Sequence, residues 1–214
     1  GVGGDGVILV TSSTSCDFKM SIFNQDGSEP EMCGNGIRCL ARFIAEKKLT
    51  EKDIFSIETK AGVIIPGIIK KKGDIVAIEV DMGEPQYDAH LMTKEKQVVA
   101  RKHVEIEGVT YDLYCVSMGN PHAVIFVDEL TNKSLGKVGA EIEKHAMFPK
   151  GVNVEFVQVI NHTLVKVHVW ERGVGFTNAC GTGACAVVVA GFYEGKCDRK
   201  VVAELPGGAL GIHW

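Results

Sequence analysis

Three observations predict an α+β fold made of two similar halves. Short β-rich runs far outnumber helical segments and do not alternate with them, which argues against a doubly wound sheet. Two helical segments lie far apart in the chain, and a strand, a loop and a Cys-Gly-x-Gly turn precede each of them. The spacing within the two units is the same: Asn24 to Cys33 is nine residues, and so is Glu171 to Cys180. The offset of 147 residues is long enough for a duplicated domain. The join is expected near Gly83-Glu84-Pro85, giving an N-terminal half over 1–83 with Cys33 and a C-terminal half over 84–214 with Cys180.

The strands follow from β-branched and aromatic runs bounded by turn residues. They are expected over 7–10, 19–23, 54–58, 63–69, 75–80, 111–116, 122–127, 154–160, 165–170 and 201–205. Val165-Lys166-Val167-His168-Val169 alternates cleanly, so one face is buried and the other wet. Lys70-Lys71-Lys72-Gly73 reads as a solvated hairpin tip. The spacing of Ile37, Leu40, Ala41 and Ile44 predicts a helix over 37–48 with one buried face. Residues 184–193 are apolar almost all round, so that helix is expected to be buried on every side. A shorter helix is expected over 135–144.

Composition narrows the function. Acidic residues outnumber basic ones, 27 to 23, where a nucleic-acid binder would show a basic balance. No apolar run approaches the roughly 18 residues of a membrane span. Seven cysteines, an odd number in a chain too long to need disulfide staples, point to free thiols in a reducing cytoplasm. Gly1-Val2-Gly3-Gly4-Asp5-Gly6 formally matches a dinucleotide fingerprint, but a strand follows it where a helix is required. The chain begins without Met inside this Gly-rich loop, so residues are expected to precede Gly1.

The two Cys-Gly-x-Gly turns carry the chemistry. The first amides of a helix have no partner within it and point outward, and with the helix dipole they favour an anion such as a carboxylate. The same field is expected to lower the pKa of a thiol placed there from its ordinary value of about 8.5 toward neutrality. Two such thiols on either side of one substrate carbon would serve its two faces. One removes a proton and the other delivers one, which inverts a stereocentre by general acid–base catalysis. A cysteine hydrolase could pair one Cys with His122, but it has no use for a second turn. Structural zinc lacks any C-x-x-C pair. A non-catalytic anion-binding module would need neither thiol.

Several segments closely resemble the diaminopimelate epimerases: Cys33-Gly34-Asn35-Gly36-Ile37-Arg38-Cys39 with the preceding residues 23–32, Gly119-Asn120-Pro121-His122, and Gly151-Val152-Asn153-Val154-Glu155-Phe156. Glu171-Arg172-Gly173 and Ala179-Cys180-Gly181-Thr182-Gly183-Ala184-Cys185 add to the likeness, which runs over essentially the whole chain. The resemblance implies two pseudo-symmetric α+β domains, each a β-barrel-like sheet around a central helix. It implies conversion of LL-diaminopimelate to the meso form for lysine and peptidoglycan synthesis, with no cofactor and no metal. Cys33 and Cys180 match the acid/base cysteines, and Gly34-Asn35 and Gly181-Thr182 the turns at the reacting end. Asn24, Asn120, Asn153, Glu171 and Arg172 match substrate contacts, and His122 and Glu171 match residues that tune the thiols. The partner is thus a small amino acid, with no nucleic acid and no membrane. The oligomeric state stays open, a homodimer among the options. A related cofactor-independent racemase with another amino-acid substrate is the alternative. The family's opening His-Gly-x-Gly-Asn segment and its last strands have no counterpart between Gly1 and Trp214.

Overall fold

The computed structural model describes Gly4, residues 6–24, 27–29, 34–86, Asp88, 98–131 and 134–214. The chain divides into two compact units, Gly1–Met82 and Gly83–Trp214.

The first unit opens with strands β1 (Gly6–Thr11) and β2 (Phe18–Asn24), paired antiparallel. Helix α1 (Gly34–Glu46) follows, then β3 (Ile57–Thr59) and β4 (Gly62–Ile64). β3 lies parallel to β2, as a helical crossover requires, and the sheet order is β1-β2-β3-β4. A separate hairpin joins β5 (Gly67–Lys71) to β6 (Asp74–Glu79). Its two-residue loop, Lys72-Gly73, has positive φ at both positions, the turn whose twist suits a hairpin. The lysine run is exposed there, as expected. Ile37, Leu40, Ala41 and Ile44 form the buried face of α1 and pack with Met20, Phe55, Ile57 and Ile68.

Two expected strands are shorter or broken here. The 63–69 run divides into β4 and β5 on either side of Ile65-Pro66, because proline has no N–H for a ladder bond. The 54–58 run contributes only Ile57 and Glu58 to β3, while Ile54 makes an isolated bridge to Gly67.

The second unit holds β7 (Ala100–Ile106), β8 (Val109–Ser117), β9 (Pro121–Phe126), α2 (Leu135–Glu143), β10 (Asn153–Asn161), β11 (Leu164–Glu171), β12 (Gly175–Thr177), α3 (Gly181–Tyr193), β13 (Lys200–Leu205) and β14 (Gly208–His213). The sheet order is β14-β13-β11-β10-β9-β8-β7, with β12 beside β11. Among the described residues this sheet ends at β14 and β7 without closing, and α3 packs against it, in keeping with the sheet-rich, two-domain fold class that the resemblance implied. Alternation sends Val165, Val167 and Val169 of β11 to a core shared with α3, while Val154 and Phe156 of β10 face α2. β7 and β14 were not foreseen. Arg101, Lys102 and Glu105 break up the first run, and Gly208 and Gly211 break up the second. Pairing with a neighbour, not strand propensity, holds each in the sheet.

The internal repeat is visible in the topology of each unit. β1-β2-α1-β3-β4 and β10-β11-α3-β13-β14 share the pattern antiparallel, helical crossover to a parallel neighbour, antiparallel. No helix among the described residues is long and apolar enough to cross a membrane.

Candidate active site

In the first unit Asn24 ends β2 in a tight turn. Its amide donates to the Ser28 carbonyl at 2.8 Å, and its Nδ2 donates to Ser28 Oγ at 3.0 Å. Gly34 and Asn35 open α1. Arg38, one turn on, donates to the Gly34 carbonyl at 2.9 Å and to Asn35 Oδ1 at 2.6 Å, so its guanidinium ties the two site positions together. Cys33 lies outside the described residues.

In the second unit Cys180 is the N-cap of α3. Its backbone is extended, and its sulfur accepts from the Gly183 amide at 3.4 Å. Thr182 Oγ1 stands 3.5 Å from the same sulfur. A network continues away from it. Asn120 Nδ2 donates to Thr182 Oγ1 at 3.3 Å, and Asn120 Oδ1 is 3.0 Å from His122 Nε2. His122 Nδ1 is 2.7 Å from Glu155 Oε1. His122 and Glu155 are both fully buried. Parallel pairing of β9 with β10 sets His122 opposite Asn153 and Val124 opposite Glu155, placing the imidazole and the carboxylate on the α3 side of the sheet.

The expected lowering of the thiol pKa does not hold at Cys180. Burial pushes the thiol up to about 12, helped by the charges of Glu155 and Glu171. The Thr182 hydroxyl and the Gly183 amide pull the other way and are outweighed. A helix start lowers a thiol pKa where water can reach the sulfur; here only 7% of the residue is exposed, and desolvation of the thiolate dominates.

A second cluster surrounds Arg172. Asn153 spans two backbones: its Nδ2 donates to the Pro121 carbonyl at 3.0 Å, and its Oδ1 accepts from the Arg172 amide at 2.9 Å. Arg172 Nη1 donates to the Lys150 carbonyl at 2.9 Å. Gly151, at φ 71°, lies under the arginine stem, where a Cβ would come within 2.8 Å of Arg172 Cδ. Glu171 Oε1 accepts from Thr177 Oγ1 at 2.6 Å. Glu143, from α2, braces this turn by accepting from Trp170 Nε1 at 2.7 Å and from the Gly173 amide at 2.9 Å. These bonds hold its carboxyl below the usual range. A cavity of about 220 Å³ lies against Asp88, Asn120, Lys150, Gly151 and Arg172. Among the described residues no group of three or more His, Cys, Asp or Glu is placed to hold a metal ion.

Sequence reading missed Glu155, Glu143 and Arg38 as parts of these clusters. Glu155 had a signal: it is the one charged residue of β10, set in the otherwise apolar run Val154-Glu155-Phe156-Val157.

The diaminopimelate epimerase family model matches residues 1–87 and 114–214. The chain belongs to the diaminopimelate epimerase family. It is 47% identical to the diaminopimelate epimerase of Moorella thermoacetica, over all of this chain and 77% of that protein. It is 48% identical to the enzyme of Microcystis aeruginosa over the same shares. Among solved structures, a Bacillus anthracis phenazine biosynthesis protein of the PhzF family aligns with TM-score 0.65 at 19% identity, over 98% of this chain and 76% of that one. A hydroxyproline epimerase from Agrobacterium vitis aligns with TM-score 0.67 at 17% identity, over 97% of this chain and 66% of that one. These two likenesses carry the fold alone. Within the epimerase family the relatives are the longer proteins, and this chain corresponds to about three quarters of their length.

Proposed function

We propose that the chain converts LL-diaminopimelate to meso-diaminopimelate by two-base proton transfer at the α-carbon, with Cys33 and Cys180 as the acid/base pair and no cofactor. The observation that carries this reading is membership of the epimerase family over the whole chain, together with a Cys-Gly-x-Gly turn at the start of α1 and of α3. The amides of Gly34-Asn35 and Gly181-Thr182 receive the carboxylate of the reacting end. Asn24, Asn120, Asn153, Glu171 and Arg172 hold the substrate, the arginine pairing with a distal carboxylate by charge-assisted hydrogen bonds. His122 and Glu171 tune the thiols. A site that grips two amino-acid ends selects against simple amino acids, which leave its polar groups unpaired. The chemistry needs both cysteines reduced, which suits the cytoplasm.

The test is incubation of the full-length enzyme with LL-diaminopimelate in deuterated water. The expected product is the meso isomer carrying deuterium at the inverted carbon. Cys33→Ala and Cys180→Ala should each reduce turnover by several orders of magnitude, since a single thiol cannot both remove and return the proton across the plane. Near-normal turnover by either variant, or efficient racemisation of proline, would overturn the reading.

A further inference from the structure

Glu155 is the unexplained residue of the second unit. Its side chain is fully buried, and Oε1 lies 2.7 Å from His122 Nδ1, its one hydrogen-bond partner among the described residues. Oε2 is buried and has no hydrogen-bond partner among the described residues. A buried carboxylate with a free oxygen is costly, so its retention calls for a reason. The carboxylate also presses on the start of α3. A Cβ on Gly183 would stand 2.7 Å from Glu155 Oε1 and 3.3 Å from Cys180 Sγ. The second glycine of the Cys-Gly-x-Gly turn is therefore the gap that admits this carboxylate beside the sulfur.

The hydrogen-bond inventory gives the arrangement a direction. An ionised carboxylate only accepts, so His122 Nδ1 carries a proton toward Glu155. Where the imidazole carries that one proton alone, Nε2 is bare and accepts. A half-turn of the Asn120 amide from the orientation described above exchanges its oxygen and nitrogen at almost the same positions, so that its NH₂ faces Nε2 and its oxygen the Thr182 hydroxyl. Thr182 Oγ1 is then left to accept from the Cys180 S–H. In this polarity every donor points from the sulfur toward the carboxylate, and the terminal negative charge polarises the whole chain. We propose that Glu155 is a positioning residue for proton transfer at Cys180, anchoring the Glu155–His122–Asn120–Thr182 chain so that the sulfur keeps its proton until substrate takes it.

The proposal rests on the reading of Cys180 as an acid/base group. The groups facing the sulfur are Glu155 from β10, Glu171 from β11, His122 of β9 through Asn120, and Thr182 and Gly183 of its own helix. Of these, the two carboxylates oppose ionisation of the thiol and the Gly183 amide favours it; the Thr182 hydroxyl favours it only while donating to the sulfur, which the polarity above reverses. Cys115 of β8 also feels Glu155, and Lys102 of β7 acts on Cys115 in the opposite sense.

The test is the rate at which iodoacetamide alkylates Cys180 across pH, read peptide by peptide by mass spectrometry on the full-length enzyme. Only the thiolate reacts, so the rate follows its fraction. Glu155→Gln keeps the shape and removes the charge, and alkylation at pH 8 should rise about tenfold or more, corresponding to at least one pKa unit. Glu155→Asp keeps the charge and should stay within about twofold of the native rate. An unchanged rate in folded Glu155→Gln, or an equal rise in both variants, overturns the proposal. Should Glu155→Gln fail to fold, the native profile decides: a Cys180 midpoint at or below that of an ordinary thiol overturns it, and one well above supports it. Alkylation needs no turnover. Failure of the native enzyme to epimerise would therefore strike the functional reading, while the thiol profile still judges Glu155.

Discussion

α1 and α3 are two versions of one device. Each starts at the first glycine of a Cys-Gly-x-Gly turn and runs thirteen residues. Two residues past the end of each stands a residue with positive φ, Lys48 at 52° and Gly195 at 66°. The amide that follows returns to the helix in both, Leu49 to the Ile44 carbonyl and Lys196 to the Gly191 carbonyl. All these positions are related by the same offset of 147 residues. The surroundings differ. α1 buries one face and leaves Phe43 45% exposed on the other, while α3 is buried on nearly every side. The second unit supplies extra strands, β7 to β9, and its core closes round α3 with residues from β8, β9, β10, β11 and β13. The repeat thus specifies where a helix begins and ends, and the amount of sheet in each unit specifies how much of it is buried.

The contrast is easiest to break at mid-helix. Val188→Lys places an unpaired charge in a fully buried position and should unfold the second unit, at a cost of several kcal/mol. Phe43→Lys, on the open face of α1, should change stability by about 0.5 kcal/mol or less. Thermal denaturation followed by circular dichroism separates the two. Equal effects would mean that α1 is covered as completely as α3.

Equivalent positions near the two C-termini sharpen it. Ile44 fills the first core, whereas its counterpart Gly191 leaves room for Cys197, whose sulfur would lie 2.6 Å from an added Cβ. Ile44→Ala should cost about 2–5 kcal/mol by leaving a cavity, and Gly191→Ala about 1–3 kcal/mol by overpacking. Chemical denaturation measures both. A stabilising Gly191→Ala would show that the Cys197 contact yields freely.

A smaller contrast between equivalent positions lies at the caps. A non-glycine residue with positive φ is strained by roughly 1 kcal/mol, so Lys48→Gly should raise stability by up to about that amount. Gly195→Ala should lower it by a similar amount. Opposite signs at equivalent positions are the expected result. The same sign at both would mean that side-chain contacts outweigh backbone strain at one of them.

Local pattern along the chain is enough for the α+β class, the three helices, most strands, the repeat, and the family. The first four are carried by periodicity or by spacing along the chain, and the family by the likeness of its motifs. Ile37, Leu40, Ala41 and Ile44 define a buried face without reference to any partner. The nine-residue interval from Asn24 to Cys33 and from Glu171 to Cys180 declares the duplication without a coordinate. The rest depends on residues brought together from far apart. His122 and Glu155 are thirty-three positions apart and meet because β9 lies parallel to β10 in one particular register. β7 and β14, with weak patterns of their own, exist as strands because a neighbour satisfies their backbone groups. The same holds for the state of Cys180. A helix start read from the sequence promises a reactive thiolate, because the dipole is a local property. Desolvation is not local: it depends on the sheet and helix packed round the sulfur, and here it outweighs the dipole and keeps the proton on the thiol.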